Sequence, residues 1–248
     1  MDIWGQDGAD VRLEWGAEGV AELGRGCAVL VIVDVLSFST TVDLVLGRDV
    51  KVLPVRWRDQ RGSDAAKAAG ATLAGEGAWT LRPSSVTKIP AGTLLALPSP
   101  NGATLCAAAA TTGARVLAGC LRNVTAVAAA AHRLAEGGPI GVIPAGERWG
   151  IDLLSDKGEF GPLRPAVEDQ LGAGAIAAAL AAHGRSLSAE AALAAAAFGV
   201  TDLSSALTHC ASGRELAAAG HGNDVTLAAE HDVSRIAPAL TGGVLAPA

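Results

Sequence analysis

The amino-acid sequence predicts an α/β fold with three layers, in which helices cover both faces of a mostly parallel sheet. First, short apolar runs alternate with amphipathic or alanine-rich segments through the first two-thirds of the 248 residues, a pattern typical of parallel strands joined by helices. Second, half of the residues are hydrophobic, enough for one sizeable core, so we predict a single domain over 1–248. Third, the last third of the chain is rich in alanine and is expected to be mainly helical.

The apolar runs are the predicted strands. The run that begins at Cys27 is rich in valine and is interrupted by one carboxylate, Asp34. It is too short to span a membrane and is typical of a central strand buried on both faces. The other predicted strands are 11–15, 50–55, 71–74, 93–97, 114–118 and 139–143.

The segments between these runs carry helix signals. The predicted helices in the first part of the chain are 17–23, 42–46, 59–69, 103–110 and 123–135, and those beyond the last strand are 166–182, 189–198, 203–210, 213–219 and 225–230. The second group forms a helical subregion over 166–235. Residues 147–165 contain glycines and charges of both signs, which indicates an irregular loop that is either a lid or a plain surface loop.

Charge and cysteine usage restrict the partners and the compartment. The net charge of −6 argues against a nucleic-acid-binding protein, which normally carries a basic stripe. The four cysteines form no Cys-x-x-Cys pair, which favours buried free thiols in a reducing compartment. The first residues lack the features of a signal peptide, and no apolar run has the length of a membrane span. We expect a cytoplasmic protein without a membrane partner, and the alanine-rich helices suggest a homodimer.

Polar residues and glycines follow five of the predicted strands. They are Asp34, Glu76, Ser99 with Asn101, Cys120 with Asn123, and Gly146 with Glu147. The carboxyl ends of parallel strands meet at one edge of a sheet, and ligands of open α/β sheets bind at that edge. The accumulation of such turns predicts an active site there.

Asp34 is the first candidate for chemistry, because a carboxylate in an apolar strand is costly to bury without a partner. It is either a metal ligand or acid/base group, or a structural residue that caps the next helix. Glu76, between two glycines, is a weaker candidate. Glu168 and Asp169 begin a predicted helix, where interaction with the helix dipole is the simpler explanation. Asp43 stands three residues after Thr40 and is assigned to a helix-capping contact.

Two segments have the composition of anion-binding helix starts. The first carries the hydroxyl residues Ser37, Ser39 and Thr40, and the second runs from Ser99 through Asn101 and Gly102 to Thr104. Arg122, next to Asn123, is either a bidentate clamp for an acidic group or an ordinary surface arginine.

The sequence lacks the motifs of several common nucleotide-binding, zinc-binding and catalytic sites. No Gly-x-x-x-x-Gly-Lys-Ser/Thr loop and no Gly-x-Gly-x-x-Gly turn follows a strand, so nucleotide binding is not supported. The histidines have no zinc-ligand spacing, and no Gly-x-Ser-x-Gly elbow is present. An oxygen-lined site of carboxylates would suit Mg²⁺.

Several segments, taken together and in order, resemble the 2-phosphosulfolactate phosphatase family. They are VIVDVLSFSTT (31–41), Gly75-Glu76, SPNGAT (99–104), GCLRN (119–123), PAG (144–146), EDQLGAG (168–174), GREL (213–216), and NDV (223–225) followed by Asp232 and Pro238. The resemblance implies an α/β fold and Mg²⁺-dependent hydrolysis of 2-phospho-3-sulfolactate to 3-sulfolactate and phosphate. Two arginines that are usual in the family are replaced here, by Ser37 and Gly77, which leaves open another phosphorylated hydroxy acid as the substrate.

The resulting hypothesis is a Mg²⁺-dependent phosphatase of a small anionic phosphoester. Asp34, Glu76 and Asp169 are the expected catalytic residues, and these three with Glu168 are the expected metal ligands. The residues expected to bind substrate are Ser37, Ser39, Thr40, Ser99, Asn101, Gly102, Thr104, Arg122, Asn123 and Gly146. A non-catalytic anion-binding protein is the first alternative, and a structural subunit is the second.

Overall fold

The structure is a computed structural model that describes residues 3–75, 77–150 and 161–248. Across these residues, a nine-stranded sheet has the order β1-β7-β2-β6-β10-β11-β3-β5-β4, and a separate two-stranded ladder pairs β8 with β9. The strands are β1 (Val11–Leu13), β2 (Val29–Val33), β3 (Lys51–Val55), β4 (Thr72–Leu73), β5 (Leu94–Pro98), β6 (Arg115–Gly119), β7 (Ile140–Pro144), β8 (Glu147–Arg148), β9 (Leu163–Arg164), β10 (Pro238–Thr241) and β11 (Val244–Pro247).

The helices in the described part of the chain agree closely with the alternation predicted from the sequence. They are α1 (Gly16–Leu23), α2 (Phe38–Leu46), α3 (Gln60–Ala68), α4 (Gly102–Ala109), α5 (Val124–Leu134), α6 (Val167–Ala182), α7 (Ala189–Gly199), α8 (Leu203–His209), α9 (Ala211–Ala218) and α10 (Gly222–Ala229). Short 3₁₀ turns cover Pro83–Val86 and Leu121–Asn123. The predicted α/β fold with a helical C-terminal part is confirmed.

Helices pack on both faces because β2 is apolar at every position. Its residues Val29, Val31 and Val33 face a core shared with α5 and α6, and Leu30 and Ile32 face a second core shared with α1, α2 and α4. All five residues are fully buried. Continuous apolar runs of this kind are typical of parallel strands covered on both sides.

A C-terminal hairpin lies in the middle of the sheet, and the sequence did not predict it. Strands β1, β7, β2 and β6 form one parallel block, and β3, β5 and β4 form another. Strand β10 pairs antiparallel with β6, and β11 pairs antiparallel with β3. The prediction of a mainly helical C-terminal third is confirmed, and the hairpin follows the predicted helical subregion 166–235.

Residues 151–160 of the proposed lid lie outside the described residues. Its two flanks form the ladder of β8 with β9, in which Glu147 is opposite Arg164. Among the described helices, none alone has the length and apolarity needed to cross a bilayer; α7 and α8 meet that test only together, across a bend of 103°.

Candidate active site

Four carboxylates lie at the carboxyl edge of the first parallel block. Asp34 follows β2, Glu147 follows the end of β7, and Glu168 and Asp169 lie in the first turn of α6. Asp34, Glu168 and Asp169 are buried, with exposed fractions of 5%, 2% and 4%, and Glu147 is half-buried. We call these four residues the acidic cluster.

The carboxylate of Asp34 holds the starts of two helices. The backbone amide of Phe38, the first residue of α2, donates to Oδ1 at 3.1 Å, and the amide of Gly102, the first residue of α4, donates to Oδ2 at 2.8 Å. The first amides of a helix have no partner within the helix, so a carboxylate stabilises them. Asp34 therefore caps two helices, which is the structural role considered from the sequence. It also belongs to the acidic cluster, where the chemical role was expected.

Asp169 joins the loops that follow two neighbouring strands. Its Oδ1 accepts from the amide of Val35 at 2.7 Å, and its Oδ2 accepts from the amide of Gly146 at 2.8 Å. Val35 follows β2 and Gly146 follows β7. The carboxylate is thus fixed in orientation by both loops, beyond any favourable interaction with its own helix dipole.

Two glycines allow this close approach. A Cβ atom at Gly172 would lie 2.7 Å from Val35 Cγ2 and 2.9 Å from Val33 Cγ1, so α6 can lie against β2 only with glycine there. A Cβ atom at Gly102 would overlap the ring of Phe38 and lie 2.8 Å from Asp34 Oδ2. The sequence segments SPNGAT and EDQLGAG therefore serve packing around the carboxylates.

Burial and repulsion between carboxylates raise the pKa values of Asp34, Asp169 and Glu147. Desolvation, opposed by the amides of Phe38 and Gly102, raises the pKa of Asp34 to about 6, and the charge of Glu168 adds to this. Desolvation likewise raises the pKa of Asp169 well above its ordinary value, with added repulsion from Asp34 and Glu168. Like charges gathered in a desolvated site are costly unless a cation or a proton compensates them.

Glu147 is a site residue that the sequence analysis noted at a strand end but did not select. Its Oε2 accepts a hydrogen bond from Asn101 Nδ2 at 3.0 Å. Desolvation, with repulsion from Asp34 and Glu168, raises the pKa of Glu147 to about 7. The signal in the sequence was the carboxylate directly after the turn PAG. It went unselected because its neighbours come from distant segments.

The described acidic residues have the hard oxygen donors that Mg²⁺ prefers, but they do not form a complete cage. Within 3–75, 77–150 and 161–248, no three His, Cys, Asp or Glu side chains are grouped closely enough to hold a metal ion. Magnesium usually keeps several waters and takes only one or two carboxylates. The cluster fits that mode of binding. Glu76, one of the expected ligands, lies outside the described residues.

The predicted phosphate-binding hydroxyls are mostly engaged in their own loops. Ser39 Oγ accepts from the amide of Asp34, and Thr40 Oγ1 donates to the carbonyl of Val35 at 2.7 Å. Both residues are fully buried. Thr104 Oγ1 donates to the carbonyl of Ser99 at 3.5 Å. These groups shape the loops around the cluster. The structure does not direct them toward a ligand.

Ser37 and Ser99 are also buried, at 8% and 1% exposure. Ser37 occupies the N-cap of α2, where its side chain makes no capping hydrogen bond. The amide of Ser99 donates to the carbonyl of Val55 at 2.9 Å and so ties the end of β5 to β3. Of the residues predicted to bind substrate, Gly102 and Gly146 reach the cluster through their backbone amides.

Arg122 and Asn123 are directed away from the cluster. Arg122 Nε donates to Asp43 Oδ2 at 2.9 Å, and its Nη1 donates to the carbonyl of Leu227 and to the carboxylate of Glu230. Asn123 Oδ1 accepts from the amide of Cys120 at 2.9 Å. The assignment of Asp43 to a capping contact is wrong, because its carboxylate forms a buried ion pair with Arg122.

A cavity of about 560 Å³ lies at the carboxyl ends of β3, β4 and β5. It is lined by Arg58, Asp59, Gln60, Ser63, Leu73, Ala74, Gly75, Thr80, Leu81, Arg82 and Pro98. We call it the arginine cavity. Neither Arg58 nor Arg82 was selected from the sequence, since isolated arginines in loops carry no pattern that separates them from surface residues.

Comparison with known proteins identifies the family to which this arrangement belongs. The family model described as 2-phosphosulpholactate phosphatase matches residues 19–243, which is nearly the whole chain. The chain belongs to the 2-phosphosulpholactate phosphatase family. A search of the curated proteins returned no match.

Membership of this family makes the protein a phosphoric monoester hydrolase, as predicted, and implies a small phosphorylated substrate. The matched region includes β2, the start of α4, the end of β7 and the start of α6, and so all four residues of the acidic cluster. The carboxyl edge of the first parallel block is the candidate active site of the phosphatase.

Proposed function

We propose that the protein hydrolyses 2-phospho-3-sulfolactate, or a closely related phosphorylated hydroxy acid, to the hydroxy acid and phosphate, with Mg²⁺. The observation that carries this proposal is the acidic cluster. Its four carboxylates are gathered from three distant segments of a phosphatase chain, and desolvation with repulsion from neighbouring carboxylates raises the pKa values of Asp34, Glu147 and Asp169. A cation that binds there would offset this repulsion.

The metal would be held by one or two carboxylates from among Asp34, Glu168 and Asp169, with water completing its coordination. Both oxygens of Asp34 and of Asp169 accept backbone amides, and each carboxylate oxygen keeps a second lone pair for another partner. The amides fix the direction of those lone pairs in advance. When bound, Mg²⁺ would stabilise the charge that develops on the phosphoryl oxygens and orient the attacking water.

Glu147 is suited to move a proton during hydrolysis. A pKa of about 7 leaves comparable amounts of its acid and its base at neutral pH, which is the range in which a general acid or base is most effective. Asn101 Nδ2 orients the carboxyl group by its hydrogen bond to Oε2. In this proposal Glu147 takes the proton of the attacking water or supplies one to the departing alkoxide.

Phosphate release from racemic 2-phospho-3-sulfolactate and a panel of phosphorylated hydroxy acids, with Mg²⁺ and with EDTA, tests the proposal. We expect metal-dependent release, at least 100-fold slower in Asp169→Asn because an essential oriented carboxylate is lost. Asp49→Asn is the matched control. Asp49 is exposed, lies beyond the C-terminal end of α2, and has a φ of 59° that asparagine also tolerates. Full activity in EDTA, or in Asp169→Asn, would contradict the proposal.

A further inference from the structure

The arginine cavity carries a net positive lining in a chain whose net charge is −6. Its charged residues are Arg58, Asp59 and Arg82. Both carboxylate oxygens of Asp59 accept from Arg61, with the shortest distance at 2.7 Å, so the negative charge of Asp59 is already compensated outside the cavity. The two remaining arginines make the cavity favourable for an anion.

Arg82 is held in a fixed orientation. Its Nε donates to Thr80 Oγ1 at 3.3 Å, and its Nη1 lies 2.8 Å from Nδ1 of His221. Within the described chain, the Nη2 group of Arg82 makes no hydrogen bond. A guanidinium that is anchored at two nitrogens and free at the third loses little conformational entropy when it binds an anion.

Arg58 lies in the turn between β3 and α3, and it is exposed. With the described residues it forms no ion pair or hydrogen bond. The neighbouring arginines Arg56 and Arg61 differ from it, because their guanidinium groups lie over the ring of Trp57 at 5.5 Å and 5.0 Å from its centroid. Of these three cations, only Arg58 lines the cavity.

The cavity and the acidic cluster are neighbours. Arg58 lies close enough to Asp34 for its positive charge to act on that carboxylate. Pro98 lines the cavity, and four residues later the amide of Gly102 donates to Asp34. A small molecule with a phosphate at the cluster can therefore extend into the cavity, whose volume lies within the range of small-ligand sites.

We propose that the arginine cavity binds the non-phosphoryl acid group of the substrate, and that Arg82 and Arg58 make the enzyme selective for phosphate esters that carry a carboxylate or sulfonate. This inference rests on the proposed function for its phosphate site. It adds the place where the second acid group of the substrate binds, and the two residues that select for that group. Arg82 supplies a fixed donor, and Arg58 supplies a second charge from the turn between β3 and α3.

The test compares two classes of phosphate ester in the full-length protein with Mg²⁺. One is 2-phospho-3-sulfolactate, and the other is p-nitrophenyl phosphate, which has no second acid group. We expect Arg82→Gln and Arg58→Gln each to lower the ratio of kcat/KM for the first over the second by roughly 10- to 100-fold, the loss of one hydrogen bond to a charged group. The change should appear mainly in KM. Arg82→Lys should recover part of the ratio.

Arg56→Gln is the matched control, because it removes a cation from the same turn that does not line the cavity. It should leave the ratio unchanged. An unchanged ratio in both Arg82→Gln and Arg58→Gln would overturn the inference, and so would an equal loss with both esters, since that is the sign of a structural role only.

A binding measurement separates this inference from the proposed function. Calorimetric titration with 3-sulfolactate, which has no phosphate, should show binding to the wild-type protein and weaker binding to Arg82→Gln. If 3-sulfolactate binds the wild-type protein more tightly than Arg82→Gln but neither ester is hydrolysed, the proposed function fails and the location of the acid group in the cavity stands. If it hydrolyses the esters but 3-sulfolactate binds Arg82→Gln equally well, the cavity assignment fails.

Discussion

Replacing Glu147 by glutamine should change how the stability of the metal-free protein depends on pH. Burial near Asp34 and Glu168 raises the pKa of Glu147 from its ordinary value of 4.5 to about 7. Between these two values the unfolded chain loses a proton that the folded chain keeps, so stability falls as pH rises. At about 1.4 kcal/mol per unit of pKa, Glu147 alone should cost about 3 kcal/mol of folding free energy above pH 7.

Glu147→Gln keeps the acceptor for Asn101 Nδ2 but has no charge to lose. Urea unfolding in EDTA at pH 5 and at pH 8 should therefore show a smaller loss of stability in the variant, by roughly 2–3 kcal/mol. Glu190→Gln, at an exposed position in the first turn of α7, is the control and should show the wild-type pH dependence. Parallel pH profiles for wild-type protein and Glu147→Gln would refute the account of the acidic cluster.

Three further substitutions test individual contacts. Asp34→Ala should abolish turnover and also destabilise the fold by about 2–4 kcal/mol, measured by urea unfolding, because the amides that start α2 and α4 lose their acceptor. Gly172→Ala should lower the free energy of unfolding by about 1–3 kcal/mol and reduce kcat, since the added Cβ atom pushes α6 from β2. Gly199→Ala has open space at its Cβ position and should change neither quantity. Arg122→Met should lower the free energy of unfolding by about 3–5 kcal/mol, because Asp43 stays buried without its cation. Adding Asp43→Leu to the same protein should recover much of that stability.

Each of these expectations has a clear contrary result. Wild-type stability of Asp34→Ala would mean that the two amides find other partners, and full turnover would remove Asp34 from the proposed active site. Equal effects of Gly172→Ala and Gly199→Ala would show that the close contact between α6 and β2 determines neither stability nor kcat. Loss of phosphatase activity in a stable Arg122→Met protein would return Arg122 to the substrate site.

The alternation of strands and helices could be predicted because it depends on local periodicity. The valine-rich strand β2 and the alanine-rich helices α5 and α6 each carry a signal within a few residues of sequence. Asp34, Gly102 and Gly146 were selected because polar groups and glycines after strands fall on the same edge of a parallel sheet. Asp169, at the start of a predicted helix, was selected only through the resemblance to the phosphatase family. The structure brings these four together through hydrogen bonds.

The errors and omissions concern pairings between distant segments. The hairpin of β10 with β11 is short, and its place between β6 and β3 depends on two blocks of sheet that no local pattern describes. Arg122 had the right position after β6 for a substrate clamp, but Asp43 and Glu230 lie close enough to bind it instead. Glu147 became a candidate only when Asn101 and the other carboxylates were seen around it.

The sequence by itself determined the layered α/β fold, the edge of the sheet that carries the carboxylates, and the resemblance to a phosphatase family. These follow from patterns within single segments and from the order of the segments along the chain. Only the tertiary structure decided which carboxylates share one desolvated site and which arginines are free to meet an anion. The physical reason is that desolvation, charge repulsion and ion pairing depend on distances in space, and residues 34, 147 and 168 are brought together only by the fold.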